Sequence, residues 1–214
     1  MYGKDHKRVA EEISKKLNLS DKEKNALLKG IIEPDITRGR GEAHHYRKKY
    51  KIFDEIIRAK RYFNQGERIK ACYHLGKALH FIQDSLITAG GKHDFIEERI
   101  SSYKFYLPEP EELSLKEVYS LIKEMRKYDE IKRIVDEILR ISILISYNVL
   151  RKHKFDDVGG YKRSKIYFLL RTAGLILLPI SFFTSYILLI PSIILIIIFS
   201  TSPSYIDYKI WYNI

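Results

Sequence analysis

Between residues 74 and 97 the chain reads His74-Leu-Gly-Lys-Ala-Leu-His80-Phe-Ile-Gln-Asp84, then Ser-Leu-Ile-Thr-Ala-Gly-Gly-Lys, then His93-Asp-Phe-Ile-Glu97. Two His-x-x-x-acid pairs lie here, His80 with Asp84 and His93 with Glu97. At 3.6 residues per turn each pair projects from one face of a helix. Imidazole nitrogen and carboxylate oxygen both suit zinc, so each pair could share or bridge ions. One such pair is most often a solvated hydrogen-bonded couple. Two in succession, separated by Ala89-Gly90-Gly91 where the chain can turn back, point more firmly to metal.

The elements that must position these pairs are helical. Asp5 can cap a helix whose His6, Val9, Ala10, Ile13 and Leu17 make one buried stripe, which puts His6 on the core side. A lone core-facing His is more often a satisfied core residue than a ligand. Ser20-Asp-Lys-Glu23 is a capping box opening a second helix that the pattern ends near Gly30. A loop then carries Asp35 and feeds a long helix from about Ala43 to Asn64, with His45 turned inward and His44 outward. Asp35 in that setting is most simply a turn residue. Gly76, one turn before His80, would let a neighbouring helix come close to the ligands. Leu107-Pro-Glu-Pro is a break, Ser114-Leu-Lys-Glu117 a further capping box, and helical patterns run on to about Lys152, with 138–150 apolar enough for a central core helix. No alternating strand pattern of useful length appears, so the fold class expected is all-α.

Length and composition allow one domain with a sizeable core, and something left over. The single Cys72 excludes an intrachain disulfide framework. The net charge is +11; residues 166–214 contribute +1 through Arg171, Asp207 and Lys209, so +10 belongs to the first 165 residues and biases them toward anionic partners. The first residues carry no apolar stretch behind their charges, so no secretory signal is expected. From Thr172 to Ser200 there is no charged residue in 29, which reads as a membrane segment. A single helix of that length would span about 43 Å against a hydrocarbon core near 30 Å, and Pro179 and Pro191 interrupt it. A hairpin of 165–183 and 186–203 uses the length better. Lys162, Arg163, Lys165 and Arg171 place the main domain in the cytoplasm, and Tyr205, Tyr208, Trp211 and Tyr212 resemble an interfacial belt. The expected division is therefore 1–160, an all-α domain, and 161–214, a C-terminal membrane anchor.

The ordered residues resemble the zinc-dependent phospholipase C and S1/P1 nuclease family, an all-α fold. His6 resembles that family's first helical His, Gly30-Ile-Ile-Glu-Pro-Asp35 the segment ending in its loop Asp, and Ala43-His44-His45-Tyr46 the following His segment, with His45 the better match. The segment from Tyr73 to Asp84 is similar to the central helix almost position for position, and His93 with Glu97 resembles the closing pair. Gly90 stands where the family has a His, with His74, Ser85, Thr88 or water as substitutes. The family also uses an N-terminal amino group as a ligand; Met1 lies five residues before His6, as in the nuclease branch.

The resemblance implies two or three zinc ions. One would be held by His45, His80, Asp84 and Asp35, its partner by His6 and Asp84 with the Met1 amino group available, and the third by His93 and Glu97. Asp84 would bridge, and Asp35 would assist activation of water for in-line attack on phosphorus. Three functions stay open: a membrane-anchored phospholipase C-like phosphodiesterase acting on lipid head groups, for which Glu97 is the phospholipase-like choice; a nuclease on single-stranded nucleic acid, for which no stacking platform is recognisable among 16 tyrosines; and a non-catalytic membrane protein whose metal ions merely hold helices together.

Overall fold

The computed structural model describes residues 3–36, 49–87, 93–128, 130–151, 166, 169–179 and 189–201. The chain divides into two compact units, Met1–Asp156 and Asp157–Ile214. Apart from one isolated bridge between Ile87 and Tyr128, regular structure among the described residues is helical throughout, and the fold is all-α.

The first unit contains α1 (Gly3–Lys16), α2 (Asp21–Ile36), α3 (Lys49–Asn64), α4 (Arg68–Ser85), α5 (His93–Ser102), α6 (Leu115–Glu124) and α7 (Ile131–Val149). α4 packs chiefly between α2 and α3, with α1 and α7 completing its surroundings. Its Ala71, Cys72, Leu75, Ala78, Leu79 and Ile82 are buried, and so are the polar His80, Gln83 and Asp84. The stripe expected on α1 is present: His6, Val9, Ala10 and Ile13 are all inaccessible. Asp5 is not a cap, however. It lies inside the first turn of α1, wholly buried, and accepts from Ser101 Oγ at 2.7 Å and Arg8 Nη1 at 3.2 Å. Arg8 also donates to the carbonyls of Ser101 and Tyr103, each at 2.8 Å. These bonds tie α1 to the C-terminal end of α5 and satisfy carbonyls that the helix leaves open.

Local chemistry sets the helix ends. α1 stops because Asn18 takes the left-handed conformation (φ 51°), while the Leu19 N–H reaches the Ser14 carbonyl and the Asn18 N–H the Lys15 carbonyl. Gly66 (φ 80°) closes α3 in the same way through Phe63 and Tyr62. At the start of α2, Glu23 reaches back to the Ser20 N–H at 2.9 Å and also pairs with Arg68. Ser114 and Glu117 form the full reciprocal box at the start of α6.

The helical pattern from 114 onward is two helices, α6 and α7, broken between Glu124 and Ile131. A larger difference concerns α2. It does not end at Gly30 but runs through Pro34 to Ile36, so Asp35 sits on a helix and not in a loop. The reason is packing: a Cβ on Gly30 would collide with the Tyr73 carbonyl, and one on Gly76 would stand 2.8 Å from the Ile31 nitrogen and overlap the Leu27 carbonyl. Gly30 is thus the point where α2 and α4 touch main chain to main chain, and the burial gained there carries the helix onward. Pro34 lies inside its last turn and has no N–H to give to the Gly30 carbonyl.

In the second unit, helix α8 is described over 169–179 and α9 spans Leu189–Thr201. They meet at small residues: a Cβ on Gly174 would stand 3.0 Å from Leu195 Cβ and 3.1 Å from the Ser192 carbonyl, while Leu169, Ile176, Ile190 and Ile197 are more than half exposed. No helix among the described residues is long and apolar enough to cross a membrane. The 13 residues of α9 would reach about 20 Å, short of a hydrocarbon core of about 30 Å. The two expected legs, 165–183 and 186–203, extend into residues outside the described ones.

Candidate metal centre

His80 and Asp84 are one turn apart on α4, so their side chains share a face, and α1 lays His6 against that face. The His6 and His80 rings lie 4.4 Å apart, tilted by 33°. Asp84 sits between them with one oxygen for each: Oδ1 is 3.2 Å from His6 Nε2 and Oδ2 is 3.3 Å from His80 Nε2. From α2, Asp35 Oδ1 comes within 3.6 Å of His80 Nε2. One ligand atom each of His6, Asp35 and His80 all lie within 4.8 Å of one another. Three helices thus deliver two imidazoles and two carboxylates to one place.

The hydrogen bonds behind the rings decide what the front can do. His80 Nδ1 lies 2.9 Å from the Ile31 carbonyl oxygen, which only accepts, so Nδ1 carries the proton. In the neutral ring Nε2 then holds a lone pair facing the oxygens of Asp84 and Asp35. His6 Nδ1 similarly lies 2.7 Å from Gln83 Oε1. Both Nε2 atoms are buried without a hydrogen-bond partner. Lone pairs aimed at carboxylates repel unless a cation stands between them, and orphaned buried polar atoms are costly. A metal with donors at 2.0–2.2 Å in a tetrahedron has donor–donor edges of about 3.3 to 3.6 Å, close to the His–Asp separations of 3.2, 3.3 and 3.6 Å. The residues present fit a divalent metal.

Burial alone would raise the Asp84 carboxyl, yet the adjacent His6 and His80 imidazoles, when they carry a proton at Nε2, hold it well below the usual carboxylate range. Asp84 is then a carboxylate with one oxygen near each imidazole. Accessibility is graded: the side chains of His6, His80 and Asp84 are 0%, 1% and 7% exposed, whereas Asp35 is 30% exposed. Asp35 forms the solvent-facing edge of the cluster.

Of the remaining expected ligands, Met1 and His45 lie outside the described residues. His93 and Glu97 fall on α5, with side chains outside the description. His74 is engaged elsewhere: its Nδ1 is 2.6 Å from Glu55 Oε2 and its ring stacks on Tyr62. Pattern reading passed over Gln83, because an amide beside Asp84 looks like an ordinary helix residue. The available signal was a polar residue inside the run Ala78-Leu-His-Phe-Ile-Gln, on a helix apolar enough to be central. Comparison of the chain with protein-family models, with curated proteins and with solved structures returns no match.

Proposed function

We propose that this chain is a metal-dependent phosphodiester hydrolase, with zinc as the ion and a phospholipid head group as the substrate class. The observation that carries this reading is the convergence of two Nε2 lone pairs on the Asp84 and Asp35 carboxylates, from positions 6, 35, 80 and 84. These are four of the positions that the zinc-phospholipase C resemblance picks out, and that resemblance supports phosphorus as the atom attacked. His6, Asp35, His80 and Asp84 would hold the metal. When bound, it supplies the Lewis acidity that makes water nucleophilic near neutral pH. Asp84 spans the two imidazoles and keeps both rings turned inward. Asp35, alone at the exposed edge, is placed to take a proton from attacking water.

Lipid is favoured over nucleic acid by the second unit. Its helices pack through Gly174 and turn branched apolar residues outward, the arrangement of helices in lipid, where small residues make the contact. As a membrane anchor, with the cationic first unit on the cytoplasmic side, it would keep a hydrolytic domain near its substrate.

The test is zinc content by mass spectrometry on the full chain, followed by hydrolysis of phosphatidylcholine and phosphatidylglycerol vesicles and of single-stranded DNA. Wild type should carry zinc and release phosphorylated head groups; His80→Ala and Asp84→Asn should lose both. Cleavage of DNA but not lipid would make it a nuclease of the same centre. A folded, zinc-loaded protein inert toward both would leave the metal a structural role.

A further inference from the structure

We infer that Gln83 is a positioning residue that selects the metal-binding tautomer of His6, and of His6 alone. This rests on the metal reading above. Gln83 is fully buried on α4, and its Oε1 is 2.7 Å from His6 Nδ1. With the oxygen in that place the imidazole must donate from Nδ1, and Nε2 offers its lone pair toward Asp84. The amide can reverse end for end with almost no movement of heavy atoms. Its NH2 then donates to Nδ1, the ring proton moves to Nε2, and His6 Nε2–H lies beside Asp84 Oδ1, the two heavy atoms 3.2 Å apart. The first arrangement is ready for a metal. The second closes the site as an ion-free His–Asp pair.

His80 has no such choice. Its Nδ1 partner is the Ile31 main-chain carbonyl, which cannot reverse. The two halves of the centre therefore differ: the His80 side is committed to presenting a lone pair, while the His6 side is convertible through one amide. The buried Gln83 Nε2, which has no hydrogen-bond partner, is what an amide held in one of two usable orientations leaves behind. An acceptor that orients a metal-binding imidazole typically contributes about 10- to 100-fold in metal affinity.

The experiment is zinc titration of the full chain against a competing chelator, comparing wild type with Gln83→Ala, Gln83→Met and Gln83→Glu, with thermal melts to establish folding. Gln83→Ala and Gln83→Met should weaken zinc binding by about 10- to 100-fold. Gln83→Glu, which in its ionised form only accepts, should restore it. Nitrogen-15 spectra of the ion-free protein add a readout independent of metal: Gln83→Glu should hold His6 as the Nδ1–H tautomer, and Gln83→Met should shift it toward Nε2–H.

No weakening, failure of Glu to restore, or a His6 tautomer indifferent to residue 83 would each overturn the inference. Wild type that binds no zinc overturns it together with the metal reading. Wild type that binds zinc but cleaves no phosphodiester leaves it standing and removes only the assigned activity.

Discussion

A Cβ on Gly76 of α4 would stand 3.1 Å from the carbonyl carbon of Gly30 in α2, so these two glycines mark a crossing at which the helices touch backbone to backbone. The same crossing sets how far Asp35, five residues on from Gly30, lies from His80, four residues on from Gly76. Gly30→Ala and Gly76→Ala should each raise intrinsic helix propensity by about 1 kcal/mol and still destabilise the protein, by about 1 to 3 kcal/mol or more, because overpacking forces the helices apart. Urea denaturation of the two variants checks the sign. Zinc binding measured beside it should fall in both, although neither residue is a ligand.

Asp35 and Asp84 should separate by role. Asp84→Asn removes a buried charge that both imidazoles face, and it should abolish metal binding. Asp35→Asn, at the exposed edge, should weaken metal binding less than Asp84→Asn does and, at saturating metal, lower kcat by about 10²- to 10⁴-fold, the usual range for loss of a positioned base. Metal content and turnover of the two variants, measured side by side on a soluble phosphodiester, decide it.

Lys60 gives a pH dependence of known sign. It is wholly buried, its ammonium donates to the carbonyls of Asn148, Val149 and Arg151 at the end of α7, and burial lowers its pKa from 10.5 to about 8. Between about pH 8 and 10.5 the unfolded chain holds a proton that the native state has released. The stability linked to this group is therefore fully present above the unfolded value and is lost as pH falls through about 8. Wild type should gain stability relative to Lys60→Met as pH is raised across that window in urea titrations. At pH 7, Lys60→Ala should cost about 1 to 3 kcal/mol by leaving the end of α7 without donors.

Cys72 is buried on α4 and its thiol is pushed up to about 12, with burial the main cause. It should react with a disulfide reagent only when the first unit opens, since the thiolate is the reactive form. The labelling rate should rise with urea in step with loss of helical signal. Rapid labelling in the folded protein would contradict the buried placement.

The all-α character was legible because α1, α4 and α7 carry periodic apolar stripes and α2 and α6 open on Ser-x-x-Glu boxes, all of which are local signals. His80 with Asp84 was legible for the same reason, as an i, i+4 pair. Asp35 was identified by type and order but assigned to the wrong kind of element. Gly30 and Pro34 both read as breakers, and only the docking of α2 on α4, a contact between residues more than 40 apart, shows that Gly30 is there for closeness. Gln83 could not be found from spacing, because its role depends on which ring nitrogen a residue on another helix presents to it. Asp5, read as a cap, is instead the acceptor that anchors Arg8 beside the end of α5, again a long-range relationship.

The Ile31 carbonyl that orients His80 has a consequence for genetics. Half of the orienting shell belongs to the main chain, so substitution of side chains would never delete it, and a saturation scan would record position 31 as a hydrophobic preference. Its influence would surface elsewhere. Changes that slide α2 along α4, at Leu27, Gly30 or Gly76, would carry the carbonyl away from the ring and give the phenotype of a missing ligand. In such a scan, residues with no donor atom near the metal would group with His6, His80 and Asp84.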